Sequence, residues 1–243
     1  MTAETRVARL YAAHDLRVET APVVPPGPGE VLLAMEAGGI CGSDLHYYHD
    51  GGFGPVRVRE PIISGHEASG RVAALGAGVD GPAPGTLVAV SPSQPCGDCE
   101  YCRKGLPIHC LSMQFMGSAM RLPHAQGMFR DQLVVPAAQV HAFPDGTAPS
   151  EAACTEPLAV CLHAVAQATE LLGDLAGRRL MITGAGPIGL LVLAAARHAG
   201  ATGIIVTDLT DAALDRARSI APNLAAVAAL TGLDEARIAE FYA

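Results

Sequence analysis

Cys96, Cys99, Cys102 and Cys110 crowd four thiols into one loop. Thiolates match the borderline softness of zinc, and four of them close a tetrahedral shell with no position left for a reactant. Such a site would fold a loop too poor in apolar residues to fold itself. His109 sits beside the last thiol and is read as a surface residue. A second, dispersed set is chemically different. Cys41, Ser43, Asp44 and His46 come first, and Gly65-His66-Glu67 follows. One thiolate, one imidazole and one or two carboxylates make a metal site that can exchange a ligand for water or an alcohol. Taken singly, each is ambiguous: a lone buried Cys packs as a small hydrophobe, and a lone His beside Gly is usually a hydrogen-bonded loop residue.

Gly184, Ala185, Gly186, Pro187, Ile188 and Gly189 form G-x-G-x-x-G. The pattern is weak alone, but here it follows a predicted strand and opens a predicted helix. Gly184 allows a tight turn, Gly186 lets backbone approach a pyrophosphate, and Gly189 packs helix on strand. Pro187 and Ile188 begin the helix, whose free N–H groups can hold phosphates; the missing N–H of Pro187 costs nothing there. Asp208 closes the next strand, where its carboxylate can bind a ribose 2′-OH and repel a 2′-phosphate. That favours NAD over NADP.

These residues need elements to place them. Short apolar runs at 30–36, 70–75, 86–90 and 129–135, separated by Gly and Pro, predict a barrel-like antiparallel domain over residues 1–149. From Ser150, read as the cap, an apolar face predicts one helix to about Leu172. Residues 179–183 and 203–207 read as strands, 187–199 and 211–220 as helices. That alternation predicts a parallel sheet within residues 150–243.

Composition narrows the function classes. With 50% hydrophobic and 16% charged residues, the chain is a globular type and not a disordered one. A net charge of −8 argues against nucleic acid and against an anionic membrane surface as partners. No apolar run is long enough to predict a membrane span, and the N-terminal residues do not read as a signal peptide, so a cytoplasmic protein is expected. Its 7 cysteines then call for an explanation other than disulfides. Cys154 and Cys161 are expected to pack as small hydrophobes, and the group Met113, Met116, Met120 and Met128 to fill core.

In this order the residues resemble the zinc-containing medium-chain alcohol dehydrogenases. The match lies in Gly65-His66-Glu67-x-x-Gly70-x5-Gly76-x-x-Val79, preceded by Cys41-x-Ser43-x-x-His46 and followed by the four-cysteine loop and the glycine turn. Residues 39–48 and 156–164 resemble the sorbitol dehydrogenase branch, and residues 113–127 resemble its L-idonate-oxidising members. The resemblance runs to about residue 221. It implies an α/β plus β protein, with a GroES-like β-barrel catalytic domain (1–149) followed by a Rossmann-type NAD-binding domain (150–243).

The resemblance also implies roles. Cys41, His66 and Glu67 surround a catalytic zinc, with Glu156 where other members carry a second cysteine; either Glu67 or Glu156 binds directly or through water. Asp44 would hold the ring of His66. Ser43 would take the substrate hydroxyl proton and pass it through the nicotinamide ribose to His46 and solvent, Glu67 and Glu156 completing the catalytic set. Tyr47 and Phe115 match positions that face substrate, with ordinary aromatic packing as the alternative. The implied cofactors are one catalytic zinc, one structural zinc and NAD. The implied partner is a small sugar acid or polyol, and the implied assembly a homo-oligomer. One departure is expected. Residues 222–243 read as helix with no third strand, which leaves the Rossmann-type domain incomplete and a non-catalytic zinc-binding form as the alternative to a polyol or sugar-acid dehydrogenase.

Overall fold

The computed structural model describes residues 3–221 and 226–229. The chain divides into two compact units, Met1–Glu156 and Pro157–Ala243. In the first, five antiparallel strands lie in the order Gln132–Pro136, Glu30–Gly39, Glu67–Leu75, Leu87–Val90 and Val140–Ala142. The period-two pattern explains them: Val31 and Leu33 point inward on one strand, Leu133 and Val135 on its neighbour. With Val72 and Val88 they form the core of this unit, each buried side chain stabilising by about 1.5–3 kcal/mol. A second sheet pairs Asp15–Val23 with Ala3–Ala12 and Ala3–Ala12 with Ile62–Ile63. The bridge Val7↔Arg130 links the two sheets. Among the described residues they do not close into the expected barrel.

Two features of this unit matter for the site. The register sets Gly39 opposite Glu67 where two strands end together. The helix Gly42–Asp50 starts immediately beyond that end. The helix expected from Ser150 is in fact two, Pro149–Ala153 and Thr155–Leu172. Pro149, at the first helical position, begins the first, one residue before the expected cap. Pro157 has no N–H to continue the hydrogen-bond ladder from the preceding helix, which accounts for the break. The first of these helices is tied to the sheet by Ser69 Oγ, which donates to the Pro149 carbonyl at 2.6 Å.

The second unit carries a parallel sheet in the order Arg179–Thr183, Gly203–Asp208 and Ala226–Ala229, with helices Pro187–His198 and Asp211–Ile220. Leu193, Ile204, Val206 and Leu214 are among its buried core residues. Thr210 caps the latter helix, its Oγ1 accepting from Ala213 N. The strand Ala226–Ala229 corrects the expectation of an all-helical tail. Its alanines favour helix by propensity, but edge pairing with Gly203–Asp208 prevails. The rest of the expected helical tail lies outside the described residues. No described helix is long and apolar enough to cross a membrane.

Candidate active site

Cys41, His66 and Glu67 converge at the end of the strand pair. One ligand atom from each lies within 4.8 Å of the others. That spacing suits a tetrahedral zinc, whose ligands sit about 2.0–2.3 Å from the metal. The backbone explains how His66 is held. Gly65 has φ +91°, and a β-carbon there would stand 2.3 Å from the ring of Phe129. The Gly65 N–H donates to Asp44 Oδ1 at 3.0 Å, and the Cys41 N–H donates to Asp44 Oδ2 at 3.0 Å. One buried carboxylate therefore ties together the two segments that carry the thiol and the imidazole. This corrects the role expected for Asp44: its hydrogen bonds go to the backbone of both segments and not to the ring of His66.

Glu156 stands outside the 4.8 Å set, yet it shares the electrostatics of that site. Burial raises its carboxyl above the ordinary value; His66 pulls it down and Glu67 pushes it up. The harder carboxylate ligands of the expected set are thus Glu67 within the cluster and Glu156 beside it.

The imidazole opens on a cleft of about 420 Å³, with Ser43, Tyr47, Phe115, Ser118 and Arg121 among its walls. Phe115 meets the ring of His66 edge-on at 5.3 Å. Tyr47 is buried and also structural, since its hydroxyl accepts from Ala119 N at 3.1 Å and its ring lies 5.4 Å from Phe53. His46 is exposed on the same helix as Ser43, three residues on, with Nδ1 3.1 Å from Asp50 Oδ2. Of the four grouped methionines, Met116 and Met128 fill core, whereas Met113 and Met120 line the cleft. Arg121 was not among the residues expected here; only its place in the 113–127 segment hinted at it.

The four sulfurs of Cys96, Cys99, Cys102 and Cys110 also lie within 4.8 Å of one another. Backbone donors point at them, Cys96 N at Cys110 Sγ (3.2 Å), Cys99 N at Cys96 Sγ and Ser112 N at Cys110 Sγ (both 3.4 Å). Backbone N–H groups of Cys102 and Leu111 bring the Cys99 thiol down to about 6. Burial and the Cys99 sulfur push Cys102 up to about 12. Four thiolates so close repel one another, and a divalent cation among them removes the conflict. The donor set therefore fits zinc. His109 is exposed beside the Tyr101 ring, as expected.

In the second unit the glycine turn has the local geometry its spacing predicts. Gly184 has φ +98°, Gly186 caps the helix Pro187–His198, and a β-carbon on Gly189 would lie 1.9 Å from the Gly184 carbonyl. Asp208 Oδ2 accepts from Ala185 N at 2.7 Å and Oδ1 from Thr210 N at 3.1 Å. These donors, Ala185 first, hold its carboxyl below the ordinary value. Each carboxylate oxygen keeps a lone pair for a further donor. None of the 7 cysteines is in a disulfide. Cys161 is buried as expected; Cys154 is exposed at the helix break, where it has no core to enter.

Residues 27–145 match the alcohol dehydrogenase GroES-like domain family. The chain is 39% identical to sorbitol dehydrogenase of Bacillus subtilis over 88% of its own length and 59% of that protein. A crystal structure of L-idonate 5-dehydrogenase from Escherichia coli superposes with TM-score 0.85 at 33% identity, over 97% of this chain and 66% of that one. The structure of 2R,3R-butanediol dehydrogenase from Bacillus subtilis gives TM-score 0.80 at 30% identity, over 97% and 67%. The chain thus spans about three fifths of the length of the sorbitol dehydrogenase it matches. With its paired zinc-type donor clusters and its glycine turn, it belongs to the zinc-containing medium-chain alcohol dehydrogenases, in the sorbitol dehydrogenase branch.

Proposed function

We propose that the chain takes part in a reversible hydride transfer between the C5 hydroxyl of L-idonate and NAD, giving 5-dehydro-D-gluconate. The observation that carries this reading is the convergence of Cys41, His66 and Glu67 within 4.8 Å, with His66 on a cleft wall that also bears Ser43. Cys41, His66 and Glu67, with Glu156 beside them, would hold zinc, and the four-cysteine loop would hold a second. When bound, zinc at the cleft supplies Lewis acidity that lowers the pKa of an alcohol.

The chain's own residues supply the rest. Ser43 takes the substrate hydroxyl proton at Oγ and hands on its own Oγ proton toward His46. His46 lies on the same helix face, three residues on. Asp50 Oδ2 lies 3.1 Å from Nδ1, and the exposed ring can carry a proton out to solvent. The helix start at Gly186 and the Asp208 carboxylate suit the pyrophosphate and the ribose 2′-OH of NAD. Tyr47 and Phe115 give the cleft apolar walls for the carbon chain. The 113–127 segment favours a sugar acid; the identity to sorbitol dehydrogenase favours a neutral polyol as the second reading.

A panel of L-idonate, D-gluconate, sorbitol and xylitol with NAD, followed by NADH absorbance, separates the two. Turnover of L-idonate well above the polyols is expected. Turnover of the polyols alone would replace the sugar-acid reading with the polyol one.

A further inference from the structure

Among the described residues lining the cleft, Arg121 is the one permanent cation, and no aspartate or glutamate lines it. Its guanidinium is held in place by its own loop: Nε donates to the Met113 carbonyl at 2.7 Å and Nη2 to the Leu111 carbonyl at 2.8 Å. A guanidinium has five donors, so Nη1 and the second Nη2 proton are left for a ligand. No carboxylate among the described residues pairs with it. A half-buried charge held only by neutral carbonyls recovers part of the hydration it loses, and a planar fork of fixed orientation suits a carboxylate. The surroundings add to this. Met120 also walls a neighbouring recess that carries Arg57 and Arg59, neither of them in an ion pair among the described residues. This flank is positive in a chain of net charge −8.

We propose that Arg121 binds the carboxylate of a sugar-acid substrate and thereby sets the choice of acid over neutral polyol. The inference rests on the sugar-acid reading above. Oxidation at C5 leaves the carboxylate at the far end of a six-carbon chain, so the site must recognise charge away from the metal ligands. Arg121, on the same wall system as His66 but on a different loop, supplies that recognition. Removing it should weaken binding of the acid and leave the matched polyol, which carries CH₂OH in place of COO⁻, unaffected.

The test measures binding of L-idonate and of L-iditol to the zinc- and NAD-loaded protein by saturation-transfer NMR, for wild type, Arg121→Gln and Arg121→Lys. The wild type should prefer L-idonate. Arg121→Gln should weaken L-idonate by about 10–100-fold, the scale of a lost hydrogen-bonded charge pair, while L-iditol stays within about twofold. Arg121→Lys, charged but without the fork, should fall between. Equal weakening of both ligands would show a role in shaping the loop and overturn the proposal. An unchanged preference in Arg121→Gln would overturn it and leave the sugar-acid reading standing. A wild type that prefers L-iditol, or binds neither, would overturn the sugar-acid reading itself.

Discussion

Replacing Asp44 should damage the cleft site and spare the four-cysteine site. The Asp44 carboxylate is buried and accepts from two backbone N–H groups, Gly65 at 3.0 Å and Cys41 at 3.0 Å. Asp44→Ala orphans both. A buried donor left without a partner costs about 1–3 kcal/mol. The Gly65 donor is fully enclosed and should lie at the upper end; the Cys41 donor is part-buried and can be rehydrated. The expected loss of stability is roughly 2–4 kcal/mol, and Asp44→Asn, which keeps one acceptor oxygen, should lose about half of that. The same change frees the segments that carry Cys41 and His66. Zinc affinity at the cleft should then fall by about 10–100-fold, the usual effect of removing a group that orients metal ligands. Denaturant unfolding gives the first quantity, and competition with a chelator gives the second. Asp44→Ala within about 1 kcal/mol of wild type, with unaltered affinity at the cleft, would refute the reasoning.

Gly39→Ala places a β-carbon 2.1 Å from Glu67 Oε2; it should turn the carboxylate away and weaken zinc at the cleft, read by the same competition, with the four-cysteine metal retained. Cys99→Ser should lose one zinc and lower Tm by roughly 5 °C or more, since each kcal/mol moves Tm by about 2–4 °C at this length; a scan with both metals retained would oppose the four-thiolate assignment. Asp208 has a lowered carboxyl pKa, chiefly through the Ala185 N–H. Its stabilisation is full above the unfolded value near 3.8 and is lost as pH falls through the lower folded value. Asp208→Asn should flatten that part of the acid-unfolding curve, and an unchanged slope would contradict the linkage.

Spacing carried much of the site. The four cysteines announce their cluster because they share one loop, and the glycine turn because strand and helix periodicity flank it. Cys41, His66 and Glu67 are far apart in sequence, and resemblance drew them together before the register of Gly39 against Glu67 did so physically. What escaped depends on tertiary contacts. Asp44 carries a side chain suited to many partners, and its choice of the Gly65 and Cys41 backbone follows from how helix and loop meet. The strand Ala226–Ala229 has the composition of a helix, and its pairing with Gly203–Asp208 decides its state. The split near Cys154 was visible in principle, because Pro157 lies where a continuous helix needs an N–H. Arg121 gave no signal of its own; the role proposed for it rests on the backbone carbonyls that pin it and on the absence of Asp and Glu from the described residues that line the cleft.

Two donor clusters on one chain predict two distinct zinc sites, one of them at the cleft. The most direct measurement is zinc content per chain for the wild type, His66→Ala and Cys102→Ser. Two ions in the wild type and one in each variant are predicted, with only His66→Ala abolishing the response of a cobalt-substituted cleft site to L-idonate. A wild type with a single ion, retained in His66→Ala and lost in Cys102→Ser, would contradict the account.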